Sequence, residues 1–276
     1  MIVWLASYPK SGNTYLRALL SAYLFSEDGN FDFTLLKNIS QFPDKVFFKG
    51  LNINLNDNSE VSKNYINAQN NLNKGPNTIQ FFKTHSAFCK LDGHNFTDLQ
   101  NTLGVIYIVR DPRNVVISQS HHFSLSIEES TNLTINNNRS IGSNGSQTFI
   151  GSWNFNLNSW KQFKNKFLLI KYEDLVEKPE HTFLKIINFL ENLLSVKYTI
   201  NEVKLKKTIE STRFEKLKEL EKKTGFSESI FDKKKNNKKE FFNLGPNSDY
   251  LKLIDETNRS KIENAFKTEM QELSYL

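Results

Sequence analysis

Four short apolar runs set the frame for this chain: "IVWLA" at 2–6, "TIQFF" at 78–82, "VIYIV" at 105–109 and "FLLIK" at 167–171. Each is too short for a typical helix and rich in β-branched or aromatic residues, the pattern of strands buried on both faces of a parallel sheet. Amphipathic stretches alternate with them, at 14–25, 112–123 and 179–193. Strands alternating with helices predict an α/β fold, a three-layer arrangement with a central, mainly parallel sheet flanked by helices. A chain of 276 residues, 38% hydrophobic, can bury one large core. No Pro/Gly-rich linker divides it, so residues 1–276 are expected to form a single domain.

Two polar stretches read as loop insertions. Residues 52–77 are Asn-rich, and residues 126–148 are rich in Ser, Asn and Gly, as befits a lid. A third, "DKKKNNKKE" at 232–240, reads as a solvated basic loop. The single cysteine, Cys89, excludes an intramolecular disulfide and fits a reducing compartment. No stretch has the length of a membrane span, and Lys10 and Gly12 interrupt the first apolar run where a signal peptide would continue. A cytoplasmic location is therefore expected. The net charge of +6 suits an acidic ligand, a nucleic acid or a membrane surface. No zinc-finger spacing or basic heptad supports the nucleic acid.

In open α/β sheets, ligands bind beyond the carboxyl ends of the strands. Here those ends carry "SYPKSGNTYLR" (7–17), "KTH" (83–85), "RDPRNVVIS" (110–118) and "YED" (172–174). Lys10, Lys83, His85, Arg110 and Tyr172 should therefore share one rim. The first segment reads as a phosphate-binding loop between strand and helix. Asn13 or Thr14 can cap that helix, Gly12 allows close backbone approach, and Lys10 adds a point charge. Proline at 112 and arginine at 113 would start a second helix beside Arg110, where a phosphate is welcome. The lysine precedes the glycine, the reverse of the order in nucleotide-hydrolysing loops.

"SYPKSGNTYLR" resembles the 5′-phosphosulfate loop of sulfotransferases that use 3′-phosphoadenosine 5′-phosphosulfate (PAPS). Arg110 and Ser118, "KTH", "KYEDL" and "STRFEKL" (211–217) match further elements of that family in order. The resemblance implies a P-loop-like α/β domain that moves a sulfonate from PAPS to a hydroxyl or amine. It releases adenosine 3′,5′-bisphosphate (PAP) and calls for no metal. It further implies that Lys10 neutralises the leaving oxygen, while Ser11, Gly12, Asn13 and Thr14 hold the 5′-phosphate. Arg110 and Ser118 would hold the 3′-phosphate. Tyr15, Tyr172 and Phe214 would frame the adenine and Thr212 would help frame the nucleotide, with Gly245 left from the last cosubstrate element. His85 would be the general base and Lys83 the stabiliser of the sulfonate in transit. A sulfonate carries less charge than a terminal phosphate, so lysines and N–H dipoles can replace Mg²⁺. The acceptor would be a small molecule or a glycan, and the resemblance allows a homodimer.

Asn243 stands where the family has an arginine, and Tyr250 where tryptophan is common. Loss of one charged hydrogen bond would cost roughly 1.5–3 kcal/mol of cosubstrate affinity. Lys233, Lys234 and Lys235 could compensate. Two other readings stay open. A P-loop kinase or NTPase would use Asp111 to hold Mg²⁺, and a non-catalytic relative would keep only the nucleotide site. His121, His122, Trp153 and Trp160 read as structural.

Overall fold

The computed structural model describes residues 1–73, 78–142, 147–232 and 237–276. Lys233, Lys234 and Lys235 lie outside the described residues. Four parallel strands form the central sheet: β1 (Ile2–Ala6), β2 (Gln80–Thr84), β3 (Thr102–Val109) and β4 (Phe167–Lys171), in spatial order β2-β1-β3-β4. From β1 the chain steps to one side, then crosses back past β1 to build β3 and β4. That reversal creates a crevice at the carboxyl ends of β1 and β3, where α/β sheets bind ligands.

Alternation along the strands fills two cores. Ile2, Trp4 and Ala6 face one layer with Val105, Tyr107 and Val109, where Trp153 and Trp160 are also fully buried. Val3, Leu5, Ile106 and Ile108 face the other. That second core is closed by helices α1 (Asn13–Phe25) and α8 (Pro179–Leu194). In α8, Phe183, Ile186, Ile187 and Leu190 recur at helical spacing and are buried, so the apolar stripe packs on the sheet.

Strand β2 ends two residues later than the sequence pattern predicts. Its pairing with β1 runs to Ala6 opposite Thr84, which draws Lys83 and Thr84 into the strand. The two presumed loop insertions also differ from expectation. Residues 52–77 contain α2 (Asn58–Lys63) and α3 (Tyr65–Leu72). Residues 126–148 contain α5 (Ile127–Ile135), between α4 (Pro112–Phe123) and α6 (Trp153–Trp160). Helix α5 buries Ser130, Thr131 and Thr134 rather than an apolar stripe. The Ser130 hydroxyl donates to Val116 O at 2.8 Å, and Gln119 Nε2 donates to the Thr134 hydroxyl at 3.1 Å. Hydroxyl and amide bonds thus hold α5 against α4, although the Thr131 hydroxyl is buried without a partner among the described residues.

Candidate active site

The aligned strand ends bring Ser7, His85, Arg110 and Tyr172 to one rim, where His85, Arg110 and Tyr172 line a cavity of about 650 Å³. Lys10, Gly12, Asn13, Thr14, Tyr15, Lys83, Ser118, Phe214 and Gly245 also line it. Two predicted residues do not. The Ser11 hydroxyl is fully buried without a hydrogen-bond partner among the described residues. Thr212 is fully buried too, and its hydroxyl donates to Thr208 O at 2.7 Å at the end of α9 (Glu202–Ser211). Its neighbours Arg213 and Phe214 form the wall instead, Phe214 opening α10 (Phe214–Thr224).

The loop's backbone departs from expectation. Gly12, not Asn13 or Thr14, is the N-cap of α1, with φ +96°. A Cβ there would lie 2.3 Å from the Tyr172 ring, so the position needs glycine for conformation and for space. Asn13 is freed for another task. Its amide donates to Leu5 O at 2.8 Å and to the Ser7 hydroxyl at 3.1 Å, tying the loop to β1. Lys10 also has positive φ, 68°. Its Nζ is buried, lacks a hydrogen-bond partner among the described residues, and lies 3.9 Å above the Phe241 ring. Burial and the nearby Lys83 charge bring its pKa down to about 7, while Glu228 works the other way.

His85 closes the far side of the loop. Its Nδ1 lies 2.9 Å from Ser7 O and 3.1 Å from the Ser7 hydroxyl. A carbonyl can only accept, so Nδ1 carries the proton and Nε2 keeps its lone pair. Burial, then Lys83, holds the imidazole neutral, with a pKa of about 3. Ser7, to which the sequence reading gives no role, thus sets the tautomer of His85.

Arg110 bridges the two halves of the rim. It donates to Lys10 O at 3.4 Å and to Gly245 O at 2.6 Å, and its guanidinium lies 4.5 Å over the Tyr172 ring. Its Nε remains without a partner among the described residues. Gly245 has φ +52°, and a Cβ there would meet the Phe214 ring at 2.1 Å. Tyr15 is kept neutral by burial, with a pKa of about 12. A buried ammonium and a guanidinium nitrogen lacking partners, flanked by Tyr15, Tyr172 and Phe214, make a donor set that fits an adenosine bisphosphate.

The start of α4 is not the free anion site expected from Pro112 and Arg113. Asp111 caps it, accepting from Arg113 N at 2.9 Å and pairing with the Arg113 guanidinium at 2.7 Å. The acid that a kinase would aim at a metal is therefore committed to the scaffold. His121 and His122, read as structural, both line the cavity. His121 Nε2 lies 3.1 Å from Glu240 O, and His122 packs edge-on against Phe241. Glu228, absent from the sequence reading, lines the cavity and contacts Lys83, Thr14 and Arg17.

A sulfotransferase domain model matches residues 2–274. The chain belongs to the sulfotransferase domain family. It is 27% identical over 231 residues to flavonol 3-sulfotransferase of Flaveria bidentis, covering 79% of this chain and 65% of that protein. It is 29% identical over 117 residues to amine sulfotransferase of Oryctolagus cuniculus, covering 41% of this chain and 38% of that protein. The matches thus span less than two thirds of these relatives. Among solved structures, retinol dehydratase with androsterone and inactive cofactor PAP matches at TM-score 0.63 and 16% identity, over 98% of this chain and 80% of that one. Mouse sulfotransferase SULT7A1 complexed with PAP matches at TM-score 0.56 and 18% identity, over 97% and 83%. Both share the fold of a central parallel sheet between helical layers. Among the described residues, no helix is long and apolar enough to cross a membrane.

Proposed function

We propose that this chain is a PAPS-dependent sulfotransferase working as a single domain, and that it moves the sulfonate to a hydroxyl or amine of a small-molecule or glycan acceptor in the cytoplasm. The observation that carries the proposal is the pairing of an unpartnered, buried Lys10 with a His85 whose Nε2 lone pair is left available beside the same cavity. In the reaction, a bond forms between the acceptor oxygen or nitrogen and sulfur. The bond from sulfur to the bridging phosphate oxygen breaks, and PAP leaves. The acceptor's proton passes to His85 Nε2. Ser7 O holds Nδ1–H and so fixes the tautomer that can receive it.

Lys10 offsets the charge that grows on the leaving oxygen, with Lys83 beside the sulfonate in transit. Gly12, Asn13 and Thr14 would present the first turn of α1 to the 5′-phosphate. Arg110 and Ser118 would take the 3′-phosphate, and Tyr15, Tyr172 and Phe214 the base. The kinase reading has less support, because Asp111 is spent on Arg113.

Incubation with [³⁵S]PAPS and a panel of phenols, alcohols, sugars and amines tests the reading. Label is expected to appear on at least one acceptor class, with PAP formed in equal amount. PAPS left intact under every condition, with PAP still binding, would favour the non-catalytic relative.

A further inference from the structure

The cavity holds one carboxylate that the proposed chemistry does not use. Glu228 Oε2 accepts from Lys83 Nζ at 3.1 Å and from the Thr14 hydroxyl at 3.3 Å, while Oε1 accepts from Arg17 Nη1 at 2.6 Å. Arg17 is itself immobile: buried within α1, it donates to Ile39 O at 3.0 Å and to Leu36 O at 3.2 Å. The turn carrying Glu228 is pinned from both sides. Phe226 stacks on Phe33 at 4.5 Å, and the Ser229 hydroxyl donates to Glu221 at 2.6 Å. Such a carboxylate cannot swing away with a flexible loop. It spans the anion loop, through Thr14, and the end of β2, through Lys83.

We propose that Glu228, clamped from behind by Arg17, is a positioning residue for the transfer step, fixing the Lys83 ammonium and the Thr14 hydroxyl at the junction of the donor loop and His85. The proposal rests on reading Lys83 as the group that steadies the sulfonate. An ammonium has three N–H groups, and one held by Glu228 leaves two to aim at the reacting centre. Around Lys83 stand Lys10 from the loop, His85 at the strand end, Arg17 from α1 and His122 from α4, besides Glu228 itself. Burial and Arg17 push Lys83 toward its neutral form, and Glu228 opposes them. Although burial favours a protonated Glu228, Lys83 and Arg17 keep its carboxyl well below the usual carboxylate range. One fixed negative charge thus orients Lys83 and opposes the loss of its proton.

The test is Glu228→Gln, which preserves size and one acceptor oxygen. The readout is single-turnover formation of PAP from [³⁵S]PAPS with water as acceptor, giving sulfate and PAP, from pH 5 to 9. The rate at pH 7 is expected to fall about 10- to 100-fold, the loss of a charged hydrogen bond. PAP affinity should stay within about threefold, so that the effect falls on turnover and not on binding. The high-pH limb should move toward acid, because Glu228 holds up the pKa of both Lys10 and Lys83. In a Lys83→Met background, Glu228→Gln should cost nothing more, as expected of a residue acting through Lys83. Glu228→Asp, which keeps the charge but shortens its reach, serves if the Gln variant does not fold, with a rate loss of about tenfold expected.

Multiplying losses in the double variant, or an unchanged rate in either single Glu228 variant, would overturn the proposal. So would tighter PAP binding at an unchanged rate, which would make Glu228 an internal competitor for the anion site. A Lys83→Met enzyme as fast as the parent would instead defeat the Lys83 reading, leaving the PAPS site itself standing.

Discussion

Replacing His85 by alanine is expected to lower turnover by about 10²–10⁴, the contribution of a positioned general base, while PAP affinity stays within about threefold. The two effects separate because His85 faces the acceptor's proton, whereas its own ring is anchored by Ser7 O rather than by a nucleotide-binding group. The parent enzyme's pH profile carries a second signature. Burial first, then Lys83, lowers the imidazole pKa to about 3, so the neutral base persists down to that pH. Lys10, whose pKa burial and Lys83 bring to about 7, loses its proton as pH rises through that value. kcat/KM, which reports the free enzyme, should therefore be level between about pH 4 and 6, fall to about half at about pH 7 and keep falling above it. An acid limb near about 6.5, the ordinary histidine value, would contradict this environment for His85. Near-parental turnover in the alanine variant would remove His85 from the chemistry.

Lys10→Met should slow transfer about 10²–10³-fold, the scale of losing one donor to a developing oxyanion. PAP affinity should fall by only about tenfold, the loss of one charged hydrogen bond. The asymmetry follows because the leaving oxygen gains charge only as the sulfur bond breaks, so the ammonium matters more at the transition state than in the product complex. A proton balance gives an independent check. With a pKa of about 7 in the free protein, Lys10 is half charged at pH 7. An anion that binds its charged form must then draw in about half a proton per PAP. Calorimetry in buffers of differing ionisation enthalpy measures that uptake, and it should vanish in the Met variant. Equal losses in transfer and binding would place Lys10 on the ground state alone.

Much of the site was legible because its residues sit directly after strands, where position in sequence fixes position in space. The runs "IVWLA" and "FLLIK" match β1 and β4, and Lys10, His85, Arg110 and Tyr172 follow their strand ends onto one rim. Other features were hidden for particular physical reasons. Glu228 lies 145 residues from its partner Lys83, in a polar stretch without periodicity, so no local pattern announces it. Helix α5 escaped because its buried face is made of hydroxyls. A capping box was nevertheless readable in Ser126 and Glu129, whose side chains both bond the backbone across the helix start. Asn13 and Thr14 both read as possible caps, yet Gly12 occupies that position and the Asn13 amide turns back to Leu5. Thr212 was carried over by resemblance, whereas its hydroxyl is consumed by Thr208 O. Asn243 lines the cavity.

The most direct test of the central claim is calorimetric titration with PAP and with ADP, in EDTA, at pH 7. Both ligands carry a 5′-phosphate and adenine, but only PAP carries the 3′-phosphate assigned to Arg110 and Ser118. PAP is expected to bind at least about 100-fold more tightly than ADP, since a charged hydrogen bond contributes roughly 1.5–3 kcal/mol and more than one is assigned to that group. ADP binding as well as PAP, or better and only with Mg²⁺, would contradict a site built to read the 3′-phosphate.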